Sequence, residues 1–138
     1  MCPTPRSEAA DPGGVAAATR TVRAVLHRLG YRFRLHRADL PGCPEVVLPR
    51  WRMAFFVVDC ARFPHPDCTR GSAVPPLADA GAEMRRLQRA ETALERQGWR
   101  MLVVPGCDAD DPERLGYRLD IALQERLIAA ADPPQHAV

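Results

Sequence analysis

Apolar positions change their period several times along this chain, and each change marks an element. Between residues 15 and 29, Val22, Val25, Leu26 and Leu29 recur at helical spacing, with Gly30 placed as a left-handed cap. Tyr31-Arg32-Phe33-Arg34-Leu35 then alternates apolar and cationic residues, which predicts a half-buried strand with an arginine-lined open face. A turn at Leu40-Pro41-Gly42 leads into a short strand over residues 45–48. Beyond Pro49-Arg50, the apolar run 53–58 has no polar alternation and reads as a central strand. A long helix is expected over residues 80–97, with Met84, Leu87 and Leu94 toward the core and Gly98 as its stop. Residues 99–104 read as another buried strand. The last helix, from Pro112 to about residue 130, repeats Leu115, Leu119, Leu123 and Leu127 every fourth position.

The order helix, three strands, helix, strand, helix predicts an α/β domain. Its central mixed sheet is flanked by helices on both faces, and the early strands pair as hairpins. One domain over residues 14–131 is expected. Residues 1–13, rich in Pro, Gly and small side chains, offer little to bury against the entropy of ordering, and 132–138 form a short tail. No apolar run approaches membrane length and the first residues lack a signal-peptide pattern, so a cytoplasmic protein is expected.

The net charge of +2 conceals an asymmetry. Residues 1–70 carry eleven Arg against six acids, a balance of +5, whereas residues 71–138 carry eight Arg against eleven acids, a balance of −3. A nucleic acid would therefore meet the N-terminal half. All nineteen cations are Arg, which codon bias explains as readily as phosphate recognition.

The sharpest chemical signal is Cys60-x4-His65-x2-Cys68, with Cys107 just past a strand-like run. Thiolates plus an imidazole suit tetrahedral zinc, and four protein ligands leave no position open for water, so the spacing predicts a structural site. The alternative is that these cysteines are simply small buried apolar residues.

Several segments together resemble the very-short-patch-repair (Vsr) mismatch endonucleases. They are residues 27–36 (His-Arg-Leu-Gly-Tyr-Arg-Phe-Arg-Leu-His), Leu40-Pro41-Gly42-Cys43-Pro44-Glu45-Val46-Val47, the Cys/His loop, and Gly98-Trp99-Arg100-Met101-Leu102-Val103-Val104. The resemblance runs from about residue 18 to about residue 130. It implies a restriction-endonuclease-like fold, a structural zinc on Cys60, His65, Cys68 and Cys107, and double-stranded DNA as substrate, cut beside a T:G mismatch. It also places the family's metal-binding aspartate on Glu45, which with the Val57 carbonyl could hold Mg²⁺.

Other family positions are altered. The two mechanistic histidines fall on Val58 and Phe63, neither of which transfers a proton, and the supporting glutamate of the first helix falls near Thr19. The Phe-Trp pair that wedges into the base stack falls on Ala61 and Arg62. Asp59 is a candidate second carboxylate and His36 a candidate proton-transfer group. Arg23, Arg28, Arg32, Arg34, Arg62, Arg86 and Arg89 are candidate phosphate contacts, with Arg20 and Arg37 in the same cluster.

Three functions follow. The first is a monomeric Vsr-like protein, catalytically impaired, that keeps its zinc-stabilised DNA binding. The second is a working Mg²⁺-dependent DNA endonuclease using Glu45 and Asp59, acting on T:G mismatches or on a changed substrate. The third is a zinc-stabilised module that binds protein.

Overall fold

A computed structural model describes residues 15–35, 37, 39–60, 65, 68 and 80–131, with Ala80 and residues 127–131 described by backbone alone. Helix α1 (Val15–Arg28) leads into four strands and two further helices: β1 (Arg34–Leu35), β2 (Val46–Leu48), β3 (Met53–Val58), α2 (Ala80–Arg96), β4 (Arg100–Pro105) and α3 (Pro112–Ala131). The strands lie in the order β1-β2-β3-β4. The first three pair antiparallel, as hairpin neighbours should. β4 returns parallel to β3, in register from Met53↔Arg100 to Val58↔Pro105, because α2 carries the chain back across one face.

Period-two burial along the sheet divides the core into two layers. Val46, Leu48, Phe55 and Val57 meet α1 and α3 on one face, where Val22, Leu26, Leu115, Leu119 and Leu123 join them. Val47, Ala54, Phe56 and Val58 meet Leu87, Ala90 and Leu94 of α2 on the other. Every residue of β3 is buried, which is why its sequence shows no alternation. Each large side chain buried this way contributes about 1.5–3 kcal/mol of transfer free energy.

Local chemistry sets the helix ends. After α1, the Tyr31 N–H reaches back to the Leu26 carbonyl at 2.9 Å, and after α2 the Trp99 N–H reaches the Leu94 carbonyl at 2.9 Å. Asp111 caps α3, its Oδ1 accepting from the Arg114 N–H at 3.2 Å, with Pro112 at the first helical position.

Four expectations change. Leu29 is 40% exposed because it falls in the capping turn, where the chain has already left the apolar face. Strand structure in the Tyr31–Leu35 segment is confined to Arg34–Leu35. Tyr31 and Phe33 do pack on the core while Arg32 and Arg34 face solvent, yet Leu35 is exposed as well. Three of the six residues of β4 are only half-buried and Arg100 emerges into solvent, since the strand pairs only with β3 among the described strands. Ala90 joins Leu87 and Leu94 beneath α2, whereas Met84 is only half-buried. The terminal stretches 1–13 and 132–138, and the Leu127 side chain, lie outside the described residues.

Candidate functional site

Both chemical centres lie where β3 and β4 end. Because these strands run parallel with Val58 opposite Pro105, the residues that follow them emerge side by side. Cys60 follows β3 after Asp59, and Cys107 is the second residue of a 3-10 turn (Gly106–Asp110) directly after β4. That turn is tied to α3 by the ion pair between Arg118 and Asp108.

His65 stands between these two cysteines. Its Nε2 is 3.5 Å from the Cys60 Sγ and 3.4 Å from the Cys107 Sγ, and the ligand atoms of Cys60, His65, Cys68 and Cys107 all lie within 4.8 Å of one another. In a tetrahedral site with metal–sulfur and metal–nitrogen bonds of about 2.3 and 2.0 Å, the S···N edge is roughly 3.5 Å. The cluster could therefore hold a metal ion. Cys60 and Cys107 are buried, and burial pushes the Cys60 thiol up to about 12, with the adjacent Cys107 and Cys68 thiols adding to the rise. A cation among the sulfurs would reverse that sign.

Glu45 sits one residue before β2, on the sheet edge facing β3. Its backbone N–H donates to the Phe55 carbonyl at 3.1 Å, and its Oε2 accepts from the Val57 N–H at 3.0 Å. Val57 thus has its N–H satisfied by a carboxylate at the point where the β2 ladder runs out. A strand residue's N–H and C=O point the same way, so the Val57 carbonyl faces the edge that carries Glu45. Burial is the main cause of the rise in the Glu45 pKa to about 7. The Val57 hydrogen bond and the charge of Arg86 pull against that rise, while the charge of Glu83 adds to it.

Glu83 was not among the candidates read from the sequence. It lies in the first turn of α2, and α2 begins over the end of the sheet where β3 finishes because it crosses back between two parallel strands. Its carboxylate holds Arg86, three residues on, through Nε at 3.2 Å and Nη2 at 2.7 Å. An acid three residues before a base on a helix is a recognisable pair; its place beside Glu45, 38 positions earlier in the chain, has no sequence signal.

The remaining candidates are dispersed. Val58 is 3% exposed, packed with Phe56, Leu87 and Leu94 on the sheet face to which Glu45 also belongs. Thr19 is buried in α1, its Oγ1 donating to the Val15 carbonyl at 2.7 Å. Arg28, Arg32, Arg34 and Arg89 are exposed, and Arg23 is half-buried. Arg37 is paired with Asp39 and lies 5.6 Å over the Trp99 ring. Asp59 is half-buried at the end of β3, beside the first cysteine. Of the described histidines, His65 belongs to the cysteine cluster and His27 is exposed on α1. His36, Ala61, Arg62 and Phe63 lie outside the described residues.

Comparison with known proteins places relatives of this chain among mismatch endonucleases and nicking enzymes. The profile of the family described as DNA mismatch endonuclease Vsr matches residues 15–70. The type II nicking enzyme V.XorIIP of Xanthomonas oryzae pv. oryzae is 42% identical over 105 residues, covering 72% of this chain and 76% of the relative. The DNA mismatch endonuclease Vsr of Escherichia coli is 32% identical over 117 residues, covering 80% and 72% respectively. The type II nicking enzyme V.NmeAIP of Neisseria meningitidis is 27% identical over 109 residues, covering 75% and 77%. With the mixed sheet flanked by helices, the Cys/His cluster at the ends of its parallel strands and relatives matched over most of their length, this chain belongs to the Vsr family of DNA mismatch endonucleases.

Proposed function

We propose that this protein is a monomeric, zinc-stabilised member of the Vsr family that binds double-stranded DNA through its arginine-rich N-terminal half and is impaired in nicking T:G mismatches. The observation that carries the impairment is the packing of Val58. The resemblance puts a family histidine at that position, and here a valine on the same sheet face as Glu45 is sealed against Phe56 and Leu87. A hydrocarbon side chain supplies no proton, and losing a general acid or base costs typically 10²–10⁴-fold.

The metal chemistry fits the donors at each centre. Three sulfurs and an imidazole nitrogen at tetrahedral spacing suit zinc, and four protein ligands make that site structural. The Glu45 carboxylate and the Val57 carbonyl are hard oxygens facing one edge, the donor type of Mg²⁺. When bound, Mg²⁺ supplies Lewis-acid polarisation of a phosphoryl oxygen and a more acidic water. The protein's own part is to present Glu45 at the strand end and to offer DNA the exposed guanidinium groups of Arg28, Arg32 and Arg34.

A nicking assay with Mg²⁺ on a T:G duplex and its matched counterpart tests this reading. The expected result is binding of both duplexes with no useful turnover of either. Efficient cleavage of the mismatch, abolished by Glu45→Ala, would overturn the impairment and reinstate a working enzyme.

A further inference from the structure

We propose that Arg86 is a positioning residue for Glu45, clamping the turn that precedes it against α2. The inference rests on reading Glu45 as an oxygen ligand for a divalent cation, and it gives α2 a part in that site.

The turn at residues 41–43 comes just before Glu45 and holds two successive left-handed residues, Gly42 at φ 79° and Cys43 at φ 57°. It lies so close to α2 that a Cβ on Gly42 would stand 2.5 Å from the Ala90 Cβ and 3.0 Å from the Phe56 ring. This approach brings the Gly42 carbonyl to Arg86, whose Nη1 donates to it at 3.1 Å. Glu83 takes the Nε and Nη2 donors at 3.2 and 2.7 Å and so fixes the plane of the fork. One donor of this rigid group thus joins the helix to the turn across 44 positions in the chain, while the other two anchor the group on its own helix. Lysine, a single charge on a flexible stem, could not hold both partners in one geometry.

The clamp bears on the Glu45 carboxylate in two ways. It restrains the backbone from which Glu45 departs toward Val57, and its charges are close enough to act on that carboxylate. Arg86 itself is engaged by the carboxylate and the carbonyl. Its function is therefore to hold the ligand, distinct from the open cations such as Arg89 on the same helix.

The test is Mn²⁺ binding, followed by electron paramagnetic resonance of the free ion on the whole chain supplied with one equivalent of zinc. Mn²⁺ is the probe because it shares the oxygen-ligand chemistry of Mg²⁺. Wild type is compared with Glu45→Ala, Arg86→Met, Arg86→Lys and Arg89→Met, and thermal unfolding is recorded for each. Loss of a group that orients a metal ligand typically weakens affinity 10–100-fold, so Arg86→Met and Arg86→Lys should each raise the Mn²⁺ Kd by about tenfold or more. Arg89→Met should leave it unchanged. A pure charge effect has the opposite sign, because removing a cation beside an anionic ligand favours a second cation.

Wild-type affinity in both Arg86 variants, with binding lost in Glu45→Ala, would overturn the clamp and leave Glu45 as the ligand. Full affinity in Arg86→Lys alone would overturn the requirement for the fork, and a lower melting temperature with unchanged Kd would reduce Arg86 to a structural role. If Glu45→Ala binds Mn²⁺ as wild type does, the ligand reading and the clamp fail together. Should Arg86→Met fail to fold, Arg86→Lys decides the question.

Discussion

The carboxylate of Glu45 accepts the Val57 backbone N–H at 3.0 Å, so a residue standing just outside one strand completes the hydrogen bonding of the next. The same bond fixes the carboxylate beside the Val57 carbonyl, the pairing of hard oxygens that a divalent cation would need.

Purified protein should carry about one zinc per chain, and Cys68→Ser should lose most of it. Because binding energy at such a site is coupled to folding, the variant's melting temperature should drop by on the order of 10 °C. Metal analysis with parallel thermal unfolding checks this. Equal zinc and equal melting temperatures in both proteins would remove the zinc assignment.

DNA binding should be electrostatic and indifferent to the mismatch. With about six phosphate contacts, the logarithm of the association constant should fall against the logarithm of salt with a slope of about −5. A fluorescence-anisotropy salt series on T:G and matched duplexes measures it, and the double change Arg32→Ala, Arg34→Ala should reduce the slope by about 2 if both residues touch phosphate. A flat salt response would point instead to a protein partner.

Nicking should return only in a rebuilt site. The informative variant combines Glu45→Asp, Val58→His and Phe63→His, with Thr19→Glu added in a second version. Position 58 is sealed in an apolar cluster and Thr19 is buried, so both variants should lose stability even where they gain activity. Gel analysis of nicked product, scored beside melting temperature, separates the two effects. No product from a folded variant would show that the loss extends beyond these positions.

The Tyr31 phenol should resist ionisation. Burial first, and then its 2.8 Å hydrogen bond to Asp120 Oδ1 and that acid's charge, push its pKa up from 10.0 to about 12. A folded-state pKa raised above the unfolded value gives stability that is fully present below about pH 10 and is lost as pH rises toward about 12. In a Tyr117→Phe background only Tyr31 contributes tyrosinate absorbance. Adding Asp120→Asn should move its midpoint part of the way back, since burial remains; an unmoved midpoint would exclude the Asp120 contribution.

Two glycines at positive φ should respond unequally to alanine. At Gly30, φ 89°, a Cβ meets nothing within 4 Å, so the cost is the left-handed backbone alone, about 1–2 kcal/mol. At Gly42, φ 79°, the same Cβ collides with Ala90 and Phe56, and the loss should be clearly larger. Urea unfolding of both variants checks the order. Equal losses would mean that the turn moves freely away from α2, which would also weaken the clamp proposed for Arg86.

What the sequence by itself determined is local or periodic. Helices and strands were legible because 3.6-residue and two-residue spacing report which face each element buries, and the unbroken run 53–58 announced a strand covered on both sides. The Cys/His cluster, which could hold a metal ion, was legible because three of its four residues fall within nine positions and soft donors have few other reasons to recur at that spacing. The fold decided what depends on distant segments meeting. A helix pattern cannot reveal that Arg86 would turn from a DNA-facing surface to the carbonyl of Gly42, because that contact exists only once α2 has crossed back over the sheet. Nor could it place Glu83 beside Glu45, or show that Val58 shares that face, since strand side chains take their partners from whichever helix covers them. Periodicity encodes the buried face of an element, and topology alone chooses what is buried against it.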